Sequence, residues 1–248
     1  MHRHEAVEQP IKTLLFDFGG TLDADGVAWK ERFGSLYQAE GLDITADAFA
    51  PIFHAADDPL VGGLSPATDL KGTVHSLAAN LESELARRGF AADETGKARA
   101  GGLRGGRVAS RFLGEAAAAF ARNRPVLQAL SERYQLGIVS NFYGNLEAVC
   151  DSIGLASLFG AMVDSHCVGA QKPDPAIFRA ALDNLGALPE TTLFVGDSLR
   201  RDGEGARRMN MRFVWIAPAD VQAEQARLSA MPDHAVVTEL RDLAKILL

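Results

Sequence analysis

The chain has 248 residues, 47% of them hydrophobic, and a net charge of −7. That length supports a sizeable core, enough for one large domain or one domain with a smaller companion. The acidic balance argues against a nucleic-acid or anionic-membrane surface, which needs clustered Lys and Arg to displace counterions.

The N-terminal MHRHEAVEQP lacks the apolar stretch of a secretory signal, and His2 and His4 in it read as a polar end rather than a metal site. No run reaches the roughly 20 apolar residues of a membrane span, so a soluble cytoplasmic protein is expected. Cys150 and Cys167 read as free thiols. From Lys12 onward, short apolar runs alternate with helical patterns. The first strand candidate, Ile11–Phe16 (IKTLLF), ends on Asp17 and opens into a loop at Gly19 and Gly20. Residues 25–118 then carry helical periodicity and no convincing strand, with candidate helices at Trp29–Glu40, Ala46–Ala55, Asp69–Arg88 and Val108–Ala121. Gly101–Gly106 (GGLRGG) reads as an ordinary loop, since it lacks both a preceding strand and the Lys-Ser/Thr of a phosphate-binding loop.

Further strands are expected at Gln135–Val139, Ala161–Asp164, Thr192–Val195, Arg212–Ile216 and Ala235–Val237. Helices are expected at Asn145–Ile153, Pro175–Leu185, Arg200–Met209, Val221–Leu228 and Leu240–Leu248. Strands joined by helices predict an α/β fold with a doubly wound, mostly parallel sheet. Residues 1–24 and 119–248 would form this core, and residues 25–118 an inserted all-helical domain.

Open parallel sheets bind ligands outside the carboxyl ends of their strands. The polar residues placed there are Asp17, Ser140-Asn141 and Asp197, joined by Lys172 in the loop GAQKPD. Singly, each has a plain structural explanation: a turn Asp, a capping Ser, a solvated Lys. Their occurrence in order at one sheet edge points to a site.

These segments carry a resemblance. Asp17-Phe18-Gly19-Gly20-Thr21-Leu22 is similar to the first motif of the haloacid dehalogenase-like hydrolase superfamily, whose usual form is Asp-x-Asp-Gly-Thr-Leu. Val139-Ser140-Asn141 resembles the second motif, Lys172-Pro173-Asp174-Pro175 the third, and Gly196-Asp197-Ser198 with Asp202-Gly203 the fourth. The insert sits where one group of the family carries a helical cap.

The resemblance implies a hydrolase, most often a phosphatase, in which Asp17 attacks phosphorus and forms a covalent aspartyl intermediate. It implies Mg²⁺ held by Asp17, the Gly19 carbonyl, Asp197 and Asp202. Lys172 would neutralise charge, and Ser140 and the loop amides at Gly20 and Thr21 would donate to phosphoryl oxygens. Asn141 would orient a small phosphorylated substrate. Trp29, Arg32 and Phe33 are the first cap residues that could face the mouth, with a core role an equal alternative.

One position departs from the pattern. Family phosphatases use the second Asp of motif one as general acid and base, worth about 10²–10⁴-fold, and Gly19 has no side chain. Three readings follow. The protein hydrolyses an ester with a good leaving group or recruits another base, with Asp23, Asp25, His54 and His75 as candidates. Alternatively it cleaves a different bond, carbon–halogen or carbon–phosphorus. Against the former stand the acidic pair Asp197 and Asp202, and Phe178 where a Tyr is expected; against the latter, none of Lys30, Lys71 and Lys97 lies in a recognisable motif. Thirdly, it binds a phospholigand without turnover.

Overall fold

The computed structural model describes residues 9–90, 100–221 and 235–248. The His2 and His4 terminus, Lys97 and the expected helix beyond Val221 lie outside the described residues. The described strands are β1 (Thr13–Phe16), β2 (Gln135–Ser140), β3 (Ala161–Asp164), β4 (Thr192–Gly196), β5 (Arg212–Ile216) and β6 (Ala235–Val237). They pair in parallel in the order β3-β2-β1-β4-β5-β6. The chain winds outward from β1 to one edge, then crosses back to build the other half beside β4. The crevice between β1 and β4 is therefore the switch point at which such sheets bind ligands.

Alternation along each strand explains why these segments pair this way. Leu14 and Phe16 of β1, Leu136 and Ile138 of β2, and Leu193 and Val195 of β4 enter one apolar cluster. Leu15, Val139 and Phe194 from the same strands enter another on the opposite face. A sheet covered on both faces needs strands apolar at nearly every position, and β1 is buried throughout.

In the insert lie α1 (Trp29–Ala39), α2 (Ala46–Asp57), α3 (Leu70–Arg87) and α4 (Ala100–Ser131). Local chemistry sets their starts. The Thr45 side chain accepts from the Ala48 amide at 3.3 Å to cap α2, and that of Asp69 from the Gly72 amide at 2.7 Å to cap α3. The core adds α5 (Leu146–Ser152), α6 (Ser165–Val168), α7 (Pro175–Leu185), α8 (Glu204–Arg208) and α9 (Ala244–Leu247). Helix α7 has Asp174 as cap and Pro175 in its first turn, and it ends on Gly186 at φ +60°.

Three expectations need correction. The Gly101–Gly106 stretch is not a loop but part of α4, which runs unbroken for 32 residues. Packing overrides propensity here: a Cβ at Gly105 would meet Glu82 Cγ at 2.8 Å, so a small residue lets α4 lie close against α3. The expected boundary between Ala118 and Ala119 accordingly falls inside α4, which spans insert and core. Its insert half stacks Phe112 on Phe33 at 4.5 Å, and in its core half the Asn123 side-chain amide donates to the Leu22 carbonyl at 3.2 Å. Finally, Arg200–Met209 is not one helix: a π-helical turn (Leu199–Gly203) precedes α8. Cys150 and Cys167 are free, as expected. No helix among the described residues is long and apolar enough to cross a membrane.

Candidate active site

Strand register assembles the site. Phe16 pairs with Ile138 on one side and with Val195 on the other, which brings Asp17, Ser140 and Asp197 to one edge of the sheet. The Asp17 amide continues the ladder by donating to the Val195 carbonyl at 2.9 Å. The Asp17 side chain is buried, and three groups converge on its Oδ1: the Phe18 amide at 2.7 Å, the Ser140 hydroxyl at 2.9 Å and the Lys172 ammonium at 2.7 Å.

Lys172 is buried between two carboxylates, with its Nζ also 2.8 Å from Asp202 Oδ1. Asn141 holds the Lys172 backbone in a reciprocal pair. Its Oδ1 accepts from the Lys172 amide at 2.8 Å, and its Nδ2 donates to the Lys172 carbonyl at 3.3 Å. Asp202 Oδ2 accepts from the Ser198 amide at 3.0 Å. A Cβ at Gly196 would stand 2.3 Å from that oxygen, so the motif's glycine is a steric requirement.

Carboxylate oxygens of Asp17, Asp197 and Asp202 lie within 4.8 Å of one another. Burial pushes the Asp197 carboxyl well above the usual range, and the charges of Asp17 and Asp202 push it further. Asp202 is also raised by burial, against the pull of Lys172. Burial acts upward on Asp17 too, but Lys172 and Arg201 outweigh it and hold that carboxyl below its ordinary value. Asp197 Oδ1 is buried without a hydrogen-bond partner. An orphaned oxygen amid three crowded carboxylates, with one lysine to neutralise them, fits a hard divalent cation.

Gly20 lies in the left-handed region at φ +89°, and a Cβ there would meet Asp197 Oδ2 at 2.6 Å. Its amide donates to Asp23 Oδ1 at 2.7 Å, and the Thr21 amide donates to the Phe18 carbonyl at 3.2 Å. In this structure both amides, expected to serve phosphoryl oxygens, are used to shape the loop. Thr21 is fully buried, and its hydroxyl has no hydrogen-bond partner among the described residues.

A cavity of roughly 200 Å³ opens over this edge. Asp17, Gly19, Ser140, Asn141 and Lys172 form its floor, while Trp29, Phe53, His54 and Asp57 come from the insert. Of the three residues expected at the mouth, only Trp29 lines it. Phe33 is in the core, and Arg32 stacks over Phe112 at 3.7 Å while pairing with Asp23 at 2.7 Å.

The Trp29 indole explains what occupies the space beside Gly19. A Cβ at Gly19 would meet Trp29 Nε1 at 3.1 Å and Cδ1 at 3.2 Å. That indole donates to Asp23 Oδ2 at 2.7 Å. Asp23 thus accepts from Gly20, Trp29 and Arg32, and is a structural anion under the loop rather than a free base. Asp25 is turned outward to Arg122 and the Leu240 amide. His75 is exposed and away from the cavity, whereas His54 lines it. Phe178, at the position where a Tyr was expected, is a core ring packed edge-on to Phe194 at 5.2 Å.

Sequence reading missed Asp57, Tyr143 and Arg201, all of which line the cavity. Arg201 adjoins Asp202 and was there to be found; Asp57 and Tyr143 carry no motif.

With this geometry in view, residues 11–210 match the model of the haloacid dehalogenase-like hydrolases. The chain belongs to that family. It is 34% identical over 100 residues to haloacid dehalogenase-like hydrolase domain-containing protein 3 of Mus musculus, covering 40% of each chain. It is 30% identical over 127 residues to glyceraldehyde 3-phosphate phosphatase of Pyrococcus furiosus, covering 50% of this chain and 52% of that one. The chain thus spans about half the length, or less, of these curated relatives. Among solved structures, an HAD phosphatase from Thermococcus onnurineus superposes with a TM-score of 0.55 at 22% identity, covering 96% of this chain and 98% of that one, which speaks to the fold.

Proposed function

We propose that this hydrolase is a Mg²⁺-dependent phosphatase acting on a small phosphorylated metabolite through an aspartyl-phosphate on Asp17. The observation that carries the reading is the trio Asp17, Asp197 and Asp202, with one unpartnered buried oxygen and with Lys172 wedged between two of its members. Dehalogenation at carbon needs no such cation-demanding cluster. Phosphoryl transfer does, because an anionic nucleophile must approach an anionic substrate.

Asp17, Asp197, Asp202 and the Gly19 carbonyl would hold the ion, which supplies positive charge between nucleophile and phosphoryl oxygens. Lys172 lowers the charge of the attacking carboxylate and stays fixed through the Asn141 bonds to its backbone. Ser140, now donating to Asp17, is placed to turn that proton toward a phosphoryl oxygen. The Asp17 carboxylate displaces the alcohol, and water then attacks phosphorus and releases Asp17. The insert roofs the cavity, limits water and meets the leaving group. Glyceraldehyde 3-phosphate phosphatase among the relatives supports a substrate of small size.

The test is hydrolysis of 4-nitrophenyl phosphate with and without Mg²⁺, in wild type and Asp17→Asn. Turnover that requires Mg²⁺ and disappears in Asp17→Asn is expected. Halide release from a 2-haloacid without Mg²⁺ would instead assign the carbon–halogen reaction, and tight phosphate binding without turnover would assign a binding role.

A further inference from the structure

Gly19 leaves the site without the side chain that protonates a departing oxygen, and the Trp29 indole beside it can donate a hydrogen bond but is far too weak an acid to give up its proton at neutral pH. Asp23 is fully engaged by three donors, and Asp25 and His75 lie away from the cavity. The end of α2 brings another carboxyl into that same cavity.

Resting on the phosphatase reading, we infer that Asp57 is the proton donor to the leaving oxygen and the base for the second half-reaction, supplied by the insert in place of the missing side chain at Gly19. Asp57 lines the cavity that Asp17, Ser140 and Lys172 floor, so a leaving group departing from phosphorus at Asp17 enters the space that Asp57 borders. Its position is fixed from the core. The Tyr143 hydroxyl donates to Asp57 Oδ1 at 2.5 Å, and the Gly62 amide, just beyond α2, donates to the Tyr143 carbonyl at 3.0 Å. Tyr143 follows Ser140-Asn141 by two residues, which ties the acid to the strand end that carries the site. A second tie joins insert and core where the Asn145 side-chain amide donates to Thr73 Oγ1 at 2.7 Å and to the Thr68 carbonyl at 2.8 Å.

The surroundings suit a carboxyl that carries a proton. Burial holds Asp57 above the usual carboxylate range and the adjacent Asp58 adds to this, while Tyr143, His54 and Arg201 act in the opposite direction. Lys30 and Glu31 of α1 also face the cavity, paired to each other at 3.3 Å. Tyr143 is held well above its ordinary value by burial and by the Asp57 charge, so it stays a donor. It donates to Oδ1 of Asp57, so in this proposal the second carboxyl oxygen is the one that meets the substrate.

The proton balance closes. The Asp17 carboxylate forms a bond to phosphorus as the phosphorus–oxygen bond to the alcohol breaks. The electron pair remains on the alcohol oxygen, which takes the Asp57 proton. The Asp57 carboxylate then accepts a proton from the water that attacks the aspartyl-phosphate, restoring both acids and yielding phosphate.

Leaving-group dependence tests this. With Mg²⁺ present, kcat/KM covers only the steps through alcohol release. Asp57→Asn should lower kcat/KM for phenyl phosphate by about 10²-fold or more, the usual scale of general acid catalysis, yet change it less than about fivefold for 4-nitrophenyl phosphate, whose leaving anion needs no proton. Tyr143→Phe removes a bond that favours the charged carboxylate. The alkaline limb of the phenyl phosphate profile should therefore move to higher pH. Equal losses on both esters, or none, would overturn the inference, as would a leaving-group-selective loss in His54→Gln instead. A wild type inactive on both esters would overturn the phosphatase reading itself, and this inference with it.

Discussion

The sheet edge and the helical insert meet over one cavity, yet they contribute chemistry in different ways. At the edge, positions follow from register: Phe16 pairs with Ile138 and Val195, so the residues after them must converge. The insert contributes Trp29, Phe53, His54 and Asp57 from two helices that meet through Phe33 and Phe53, with Trp29 packed on Phe112 and Tyr143. In the proposed reaction the first region would set how a phosphoryl group is attacked, and the second what surrounds the group that leaves. Fold-level topology dictates the one, and tertiary contact the other.

That contrast can be broken at either side. The largest effect is expected at the edge. Lys172→Met removes a buried cation that serves Asp17 and Asp202. Leaving both carboxylates uncompensated should cost about 3–5 kcal/mol in denaturant unfolding, the usual penalty for breaking a buried pair. Activity should fall by about 10²-fold or more, on the scale of losing an electrostatic transition-state donor. Wild-type activity in a stable Lys172→Met protein would contradict the reading of the edge.

A smaller effect is expected at the seam between the regions. Gly19→Asp restores the family's usual residue, but its Cβ must stand 3.1 Å from Trp29 Nε1, and that indole is held by Asp23. The single variant should gain little on phenyl phosphate and should lose stability. The double variant Gly19→Asp/Trp29→Ala frees the space and should show the larger rate gain of the two. A large gain in the single variant would mean that Trp29 yields readily and does not define the seam.

The same contrast separates what the sequence made legible from what it did not. Asp17, Ser140 and Asp197 were readable as polar residues directly after apolar strand runs, and Lys172 and Asp202 through the segments that resemble the family's third and fourth motifs. Gly196 and Gly20 were readable as motif letters, and the structure supplies their reason in the close approach of Asp202 and Asp197. The loop role of the Gly20 and Thr21 amides was not readable, because it depends on Asp23 folding back to the first and on a turn that offers the Phe18 carbonyl to the second. Gly101–Gly106 misled because glycine predicts a break unless a neighbour such as Glu82 requires a small residue. Asp57 was invisible, since nothing near it in sequence marks a carboxyl that meets Asp17's cavity 40 residues away along the chain.

The central claim is that Asp17 becomes covalently phosphorylated. Acid quenching of the Mg²⁺-loaded protein during turnover of 4-nitrophenyl phosphate, followed by peptide mass spectrometry, tests it directly. A phosphoryl group is expected on the Asp17 peptide and is expected to be absent from Asp17→Asn. Sustained turnover with no phosphorylated Asp17, or unchanged turnover in Asp17→Asn, would contradict it.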